Sequence, residues 1–259
     1  MFNPPTGLCN MVLNCAARHG DAAMASDVLH YLTDSDIPLY EHHYAAMIEA
    51  YALSTSPNIP KIFATFESMQ SAGILPHKHT VRAALPALSS REAADSAAVA
   101  LLQNNTNLLA SIELVMAAYA HIPDLTAAMQ LYTNLPNLTS AKPTTHTVNI
   151  LLSGCADTKN TELAMYLASE MRAMHLRPDA VSYEALVRVW SPEKEAFLYL
   201  EEMKAAGHRA GRRTYVDLVT KCVNAGDRKR AELVLREMAE VGWENDHVTR
   251  RLLKKGVRI

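Results

Sequence analysis

The 259-residue chain is 49% hydrophobic and carries 25 Lys and Arg against 27 Asp and Glu, a net charge of −2. It can therefore bury a continuous core, while its overall charge alone predicts no nucleic-acid partner. No apolar run approaches the roughly 18 residues of a membrane span, and Cys9, Cys15, Cys155 and Cys222 form no C-x-x-C pair, which argues against a zinc knuckle or a redox motif and suits reduced, mostly buried thiols in an intracellular or organellar protein.

From the N-terminus, Met1-Phe2-Asn3-Pro4-Pro5 offers neither an apolar signal core nor an Arg- and Ser-rich amphipathic transit segment. Helical units then follow one another: 6–40, 41–77, 78–108, 109–144, 145–179, 180–211 and 212–246, with a partial helix at 247–259. The anchors are clearest late in the chain. Ser182-Tyr183 and Thr214-Tyr215 open two units, Glu201-Glu202-Met203 and Arg236-Glu237-Met238 close them, and Gly207 and Gly242 lie four residues beyond each Met. Ser169-Glu170-Met171 and Glu67-Ser68-Met69 repeat the closing pattern upstream.

Each unit reads as two helices. The first carries an apolar pair, as in Val12-Leu13, Met47-Ile48, Val115-Met116, Leu151-Leu152, Leu186-Val187 and Leu218-Val219. The second carries a small residue where helices approach closely: Ala25, Ala128, Ala164, Ala196 and Ala231. A residue four positions on shares its face. Gly73, Gly207 and Gly242 are suited to the left-handed conformation that ends a helix. Ser191-Pro192-Glu193 and Ser89 with Glu92 read as helix starts, and Pro86 kinks or shortens its helix. One such pair cannot bury its apolar face alone, so the units stack into a single all-α solenoid domain.

The opening Thr147-Val148-Asn149-Ile150-Leu151-Leu152, then Ala164, Glu170-Met171 and Arg177-Pro178-Asp179, resembles the pentatricopeptide repeat. Thr214-Tyr215, Ala225-Gly226, Ala231 and Glu237-Met238 repeat the match in 212–246. The tetratricopeptide repeat expects Gly or Ala where this chain has Leu152, Val187 and Val219.

The resemblance implies a right-handed superhelix and an organellar eukaryotic protein that binds single-stranded RNA. Mitochondria are expected, with the chloroplast as alternative. In the family, the fifth and last residues of a repeat read a base, the second stacks between bases, and a basic residue late in the first helix meets phosphate. Splayed single strands suit such reading.

Carried over, Asn149 with Asp179 is the family's pair for uracil. The other pairs are Asn10 with Tyr40, Ala45 with His77, Glu184 with Gly211, and Val216 with Asp246. The stacking position holds Gly7, His42, His79, His146, Val181 and Arg213, and Arg18 fits the phosphate position where Leu53 and Asp157 do not. The expected RNA contacts are therefore Asn149, Asp179, Val181, His146, Asn10, Arg18 and Arg213.

From Lys204 to Ile259 there are 14 Lys and Arg against 7 Asp and Glu, including Arg250, Arg251, Lys254 and Lys255. Such a basic end can neutralise phosphates. The leading expectation is an RNA-binding adaptor in transcript stability, processing or translation. The alternatives are a protein-binding scaffold in a mitochondrial complex such as the ribosome, and the repeat module of an RNA-processing nuclease without its catalytic domain. No enzymatic activity, cofactor, metal or small-molecule substrate is expected. The pair His42-His43 does not suggest a metal site, because adjacent side chains on a helix diverge, and His77-His79 falls at a repeat junction with no nearby Cys.

Overall fold

The computed structural model describes residues 6–74, 76, 78–103, 108–190 and 195–243. The expected partial helix at 247–259 and the Ser191-Pro192-Glu193 cap lie outside these residues. The described residues hold fifteen α-helices, one 3-10 turn and no strand, so the fold is all-α. The chain divides into two compact units, 1–143 and 144–259.

The first unit runs through α1 (Thr6–His19), α2 (Ala22–Asp34), α3 (Glu41–Leu53), α4 (Ile59–Ser71) and α5 (Lys78–Ala84). A 3-10 turn (Leu85–Leu88) follows, then α6 (Arg91–Gln103), α7 (Leu109–His121), α8 (Leu125–Thr133) and α9 (Leu135–Leu138). α1 packs on its own partner α2 and on the next first helix α3, and α3 likewise on α4 and α5. Leu13, Ala16 and Ala17 of α1 close with Ala25 of α2 and Ala46, Met47 and Ala50 of α3 around one core.

Pro86 falls in the 3-10 turn and leaves α5 seven residues long, because its ring displaces the helical hydrogen bond of the preceding turn. That break also shifts the next cap by one residue. Ser89 closes the 3-10 turn, and Ser90, not Ser89, caps α6 by accepting from the Ala93 N–H at 3.2 Å.

The second unit comprises α10 (Thr145–Thr158), α11 (Thr161–Ala173), α12 (Ala180–Val189), α13 (Glu195–Ala205), α14 (Arg212–Asn224) and α15 (Arg228–Glu240). The small residues of the second helices pack without a gap: Ala25, Ala128, Ala164, Ala196 and Ala231 are all 0% exposed. The repeat methionines Met69, Met171, Met203 and Met238 are buried with them, as the pliable fillers of helix junctions. Gly73, Gly207 and Gly242 take positive φ at their helix ends. The four cysteines are free thiols, with Cys9, Cys155 and Cys222 buried and Cys15 exposed. No described helix is long and apolar enough to cross a membrane.

Candidate nucleic-acid interface

The pair Asn149 and Asp179 is joined directly. Asp179 is the N-cap of α12, its Oδ1 accepting from the Ser182 N–H at 2.9 Å, which satisfies one of the open donors of the helix start. The same oxygen accepts from the Asn149 Nδ2–H at 3.0 Å. The Ser182 hydroxyl donates to Asn149 Oδ1 at 2.6 Å and accepts from the Asp179 N–H at 3.1 Å. Asn149 is 4% exposed and Ser182 fully buried. Burial would raise the Asp179 carboxyl, but bonds from Ser182 and Asn149 outweigh it and hold the group below its ordinary range. An ionised Asp179 can only accept, so it fixes which end of the Asn149 amide faces it. One Nδ2 hydrogen and one Oδ1 lone pair then remain uncommitted by these bonds.

The same positions in the other units are engaged differently. Asn10 Oδ1 accepts from His43 Nε2 at 2.9 Å, and His43 Nδ1 accepts from the Tyr40 N–H at 2.9 Å. His43 is therefore the neutral tautomer carrying its proton on Nε2. Burial first, then the neighbouring His42, lowers its pKa to about 4. By turning back to cap Tyr40, the His43 ring comes within 3.9 Å of the His42 ring, centroid to centroid. The two histidines thus do face each other, contrary to the spacing argument, yet both His43 nitrogens are already bonded. Glu184 Oε1 accepts from the Gly211 N–H at 3.0 Å, Val216 is half-buried, and His77 and Asp246 lie outside the described residues.

At the second position Gly7, His42, His79, Val181 and Arg213 are exposed. His146 is half-buried, with Nε2 enclosed and unbonded among the described residues. Arg18 is exposed in the last turn of α1. At the corresponding place in α10, Asp157 is bonded by Arg188, which also reaches Asp217 at 3.8 Å.

Two features escaped the sequence reading. The third residue of the units, His43, Thr80, Ser111, Thr147, Ser182 or Thr214, is polar yet buried. His43 and Ser182 bond the fifth residue of the preceding unit, each 33 residues away; a polar residue recurring at repeat period on a buried face was the available signal. The second is a cap on α12. Lys221 Nζ donates to the carbonyls of Val187, Arg188 and Trp190 at 2.6, 3.0 and 2.6 Å, and Lys159 Nζ to that of Arg188 at 2.7 Å. Burial, then the nearby Lys159, brings the Lys221 pKa down to about 8.

Charge divides between the units, with 6 Lys and Arg against 11 Asp and Glu over 1–143 and 19 against 16 over 144–259. Arg209, Arg212, Arg213, Arg228, Lys229 and Arg230 are exposed, Arg228 pairing with Glu232 and Arg230 with Asp227. Arg250, Arg251, Lys254 and Lys255 lie outside the described residues. Among the described residues no three His, Cys, Asp or Glu side chains converge as a metal-binding set.

A family model described as pentatricopeptide repeat-containing protein matches residues 6–135, and one described as pentatricopeptide repeat domain matches 140–192 and 198–245. No curated protein matches the chain. The crystal structure of the pentatricopeptide repeat protein PPR10 from maize is 20% identical at a TM-score of 0.63, with 98% of this chain and 36% of that one covered. PPR10 in complex with an 18-nt psaJ RNA element is 15% identical at a TM-score of 0.50, with 98% and 43% covered. At these identities the likeness is one of fold, and the chain spans less than half the length of these two chains.

Proposed function

We propose, from the premise that the chain belongs to the pentatricopeptide repeat family, that it is a non-catalytic adaptor that binds single-stranded RNA. The observation that carries the reading is the Asn149–Asp179–Ser182 network. A half-buried carboxylate and a buried hydroxyl hold a buried amide in one orientation, with one donor and one acceptor left over. Uracil presents a complementary acceptor and donor on its base-pairing edge, and this pair reads that base. Val181 and His146 stack against the bases on either side, each good stack contributing about 1–3 kcal/mol. Arg213 contributes charge to the backbone from the more basic unit and Arg18 from the acidic one, while Asn10 stands at a base-reading position. Binding is therefore salt-dependent.

The supported setting is an organelle, with mitochondria favoured over chloroplasts, where the protein stabilises, processes or helps translate a transcript. A filter-binding series with uridine-rich, cytidine-rich and adenosine-rich single strands tests the reading. It expects the uridine-rich strand to bind tightest. Affinity no greater than that of a charge-matched helical protein, or no loss on Asn149→Ala, overturns it. The scaffold reading rests on a separate observation, the acidic balance of residues 1–143, with 6 Lys and Arg against 11 Asp and Glu.

A further inference from the structure

The second helices carry a small buried residue at repeat period, and the residue two places further on points outward. In α2 and α8 that place holds Asp27 and Gln130, both exposed and polar. In the second unit it holds Tyr166 of α11, Leu198 of α13 and Leu233 of α15, which are 49%, 57% and 61% exposed. Single apolar side chains on a surface are ordinary. Three at one register in consecutive repeats form a stripe, and an aligned apolar patch marks an interaction site.

α13 and α15 lie side by side beneath it. Lys204 Nζ meets Glu237 Oε1 at 2.6 Å, and the Arg230 guanidinium sits 5.7 Å from the centre of the Phe197 ring. Residues three and four apart on a helix share a face. Leu198 is therefore flanked by Glu195, Glu201 and Glu202, the first two exposed, and Leu233 by Lys229, Arg230 and Arg236, all exposed. Glu237, the remaining residue of that face, is taken up by Tyr215 and Lys204. A leucine thus stands in an acidic frame on α13 and in a basic frame on α15.

Such a face is complementary to itself. A two-fold axis running parallel to α13 and α15, between them, lays each α13 on the partner's α15. Leu198 then meets the partner's Leu233, Glu195 the partner's Lys229 and Glu201 the partner's Arg236. An axis along α13 itself sets one acidic frame against another, so charge selects the first. We propose that the α13–α15 face is the contact of a reversible homodimer, closed because each copy gives the same patch. The contact lies on second helices, whereas Asn149, Val181 and Arg213 stand on first helices, so the inference is independent of RNA binding.

Sedimentation velocity of the full chain across micromolar concentrations tests it. A monomer–dimer equilibrium is expected, weakened by added salt. Leu198→Glu, at an exposed position, weakens it about tenfold or more with unchanged helical circular dichroism. Glu195→Lys with Glu201→Lys makes one variant basic on both helices, and Lys229→Glu with Arg236→Glu makes another acidic on both. Each is expected to be monomeric alone, and the two to dimerise when mixed. A native chain that stays monomeric throughout overturns the proposal and leaves the stripe to another occupant. So does association that survives Leu198→Glu, or a mixture of the two charge variants that stays monomeric where the native chain pairs.

Discussion

The Asp179 carboxylate receives the Asn149 amide at 3.0 Å while the Ser182 hydroxyl donates to the other end of that amide at 2.6 Å. The carboxylate dictates the orientation, since when ionised it cannot donate; the hydroxyl, which also accepts from the Asp179 N–H and lies 3.1 Å from Asp179 Oδ1, follows it. On the proposed reading, this fixes the choice of base. Asp179→Asn removes the constraint, because the new amide can turn either its oxygen or its nitrogen toward Asn149. The expected result is a smaller preference of uridine over cytidine, by about 1–2 kcal/mol, with little loss of total affinity. Competition binding with paired oligonucleotides measures it, and an unchanged preference removes Asp179 from base choice.

His43 links pH to stability. Its folded pKa of about 4 lies below the ordinary 6.5, so the unfolded chain binds more protons between those values and stability rises with pH across that window. The contribution is fully present above pH 6.5 and is lost as pH falls toward 4. At full extent it amounts to about 3 kcal/mol. Protonation also removes the acceptor that Nδ1 offers the Tyr40 N–H. Urea unfolding of the native chain at pH 7 and pH 4.5 should show the loss, and His43→Gln should flatten the difference. An equal slope in both proteins assigns the acid sensitivity elsewhere.

Much of this architecture was legible in the sequence because stacking imposes a period. The buried alanines and methionines recur at fixed places, since each must fill the same junction. Glycines at helix ends were legible for a related reason, left-handed backbone being costly for other residues. The polar third residues were not. A histidine at 43 and a serine at 182 share no side-chain chemistry, and their common task, bonding both a cap N–H and a side chain 33 residues back, appears only when two units are stacked. Lys221 was hidden likewise. Its three carbonyl partners lie 31 to 34 residues earlier in the chain, where no local pattern points.

That lysine stabilises the second unit. α12 ends at Val189, and the ammonium group occupies the carbonyls of Val187, Arg188 and Trp190, groups that a helix end otherwise leaves without an intrahelical donor. With its pKa brought down to about 8, Lys221 is still mostly protonated at neutral pH and all three bonds are charge-assisted. Lys221→Met keeps the aliphatic stem and strips the donors, and it is expected to cost about 1–3 kcal/mol. Chemical denaturation at pH 7 reads the change. A loss below about 0.5 kcal/mol means that Lys159 or water replaces the cap.

At the junction of α1 and α3 the chain leaves no room for a side chain. Gly20 has φ of +67°, and a Cβ there would lie 2.4 Å from the Leu53 carbonyl oxygen and 2.7 Å from the Ser54 nitrogen. Both are backbone atoms, so relief requires the end of α1 to move away from the end of α3 rather than a rotamer change. Gly73 isolates the conformational part of the cost, for it has φ of +73° with nothing within 4 Å of its would-be Cβ. Gly73→Ala is expected to lose about 1 kcal/mol, the ordinary penalty for left-handed backbone. Gly20→Ala adds the steric conflict and should lose about 3 kcal/mol or more, in the range of overpacked cores. Urea titrations of the two variants side by side measure the difference. Equal losses would mean that the ends of α1 and α3 stand further apart in solution than this contact requires.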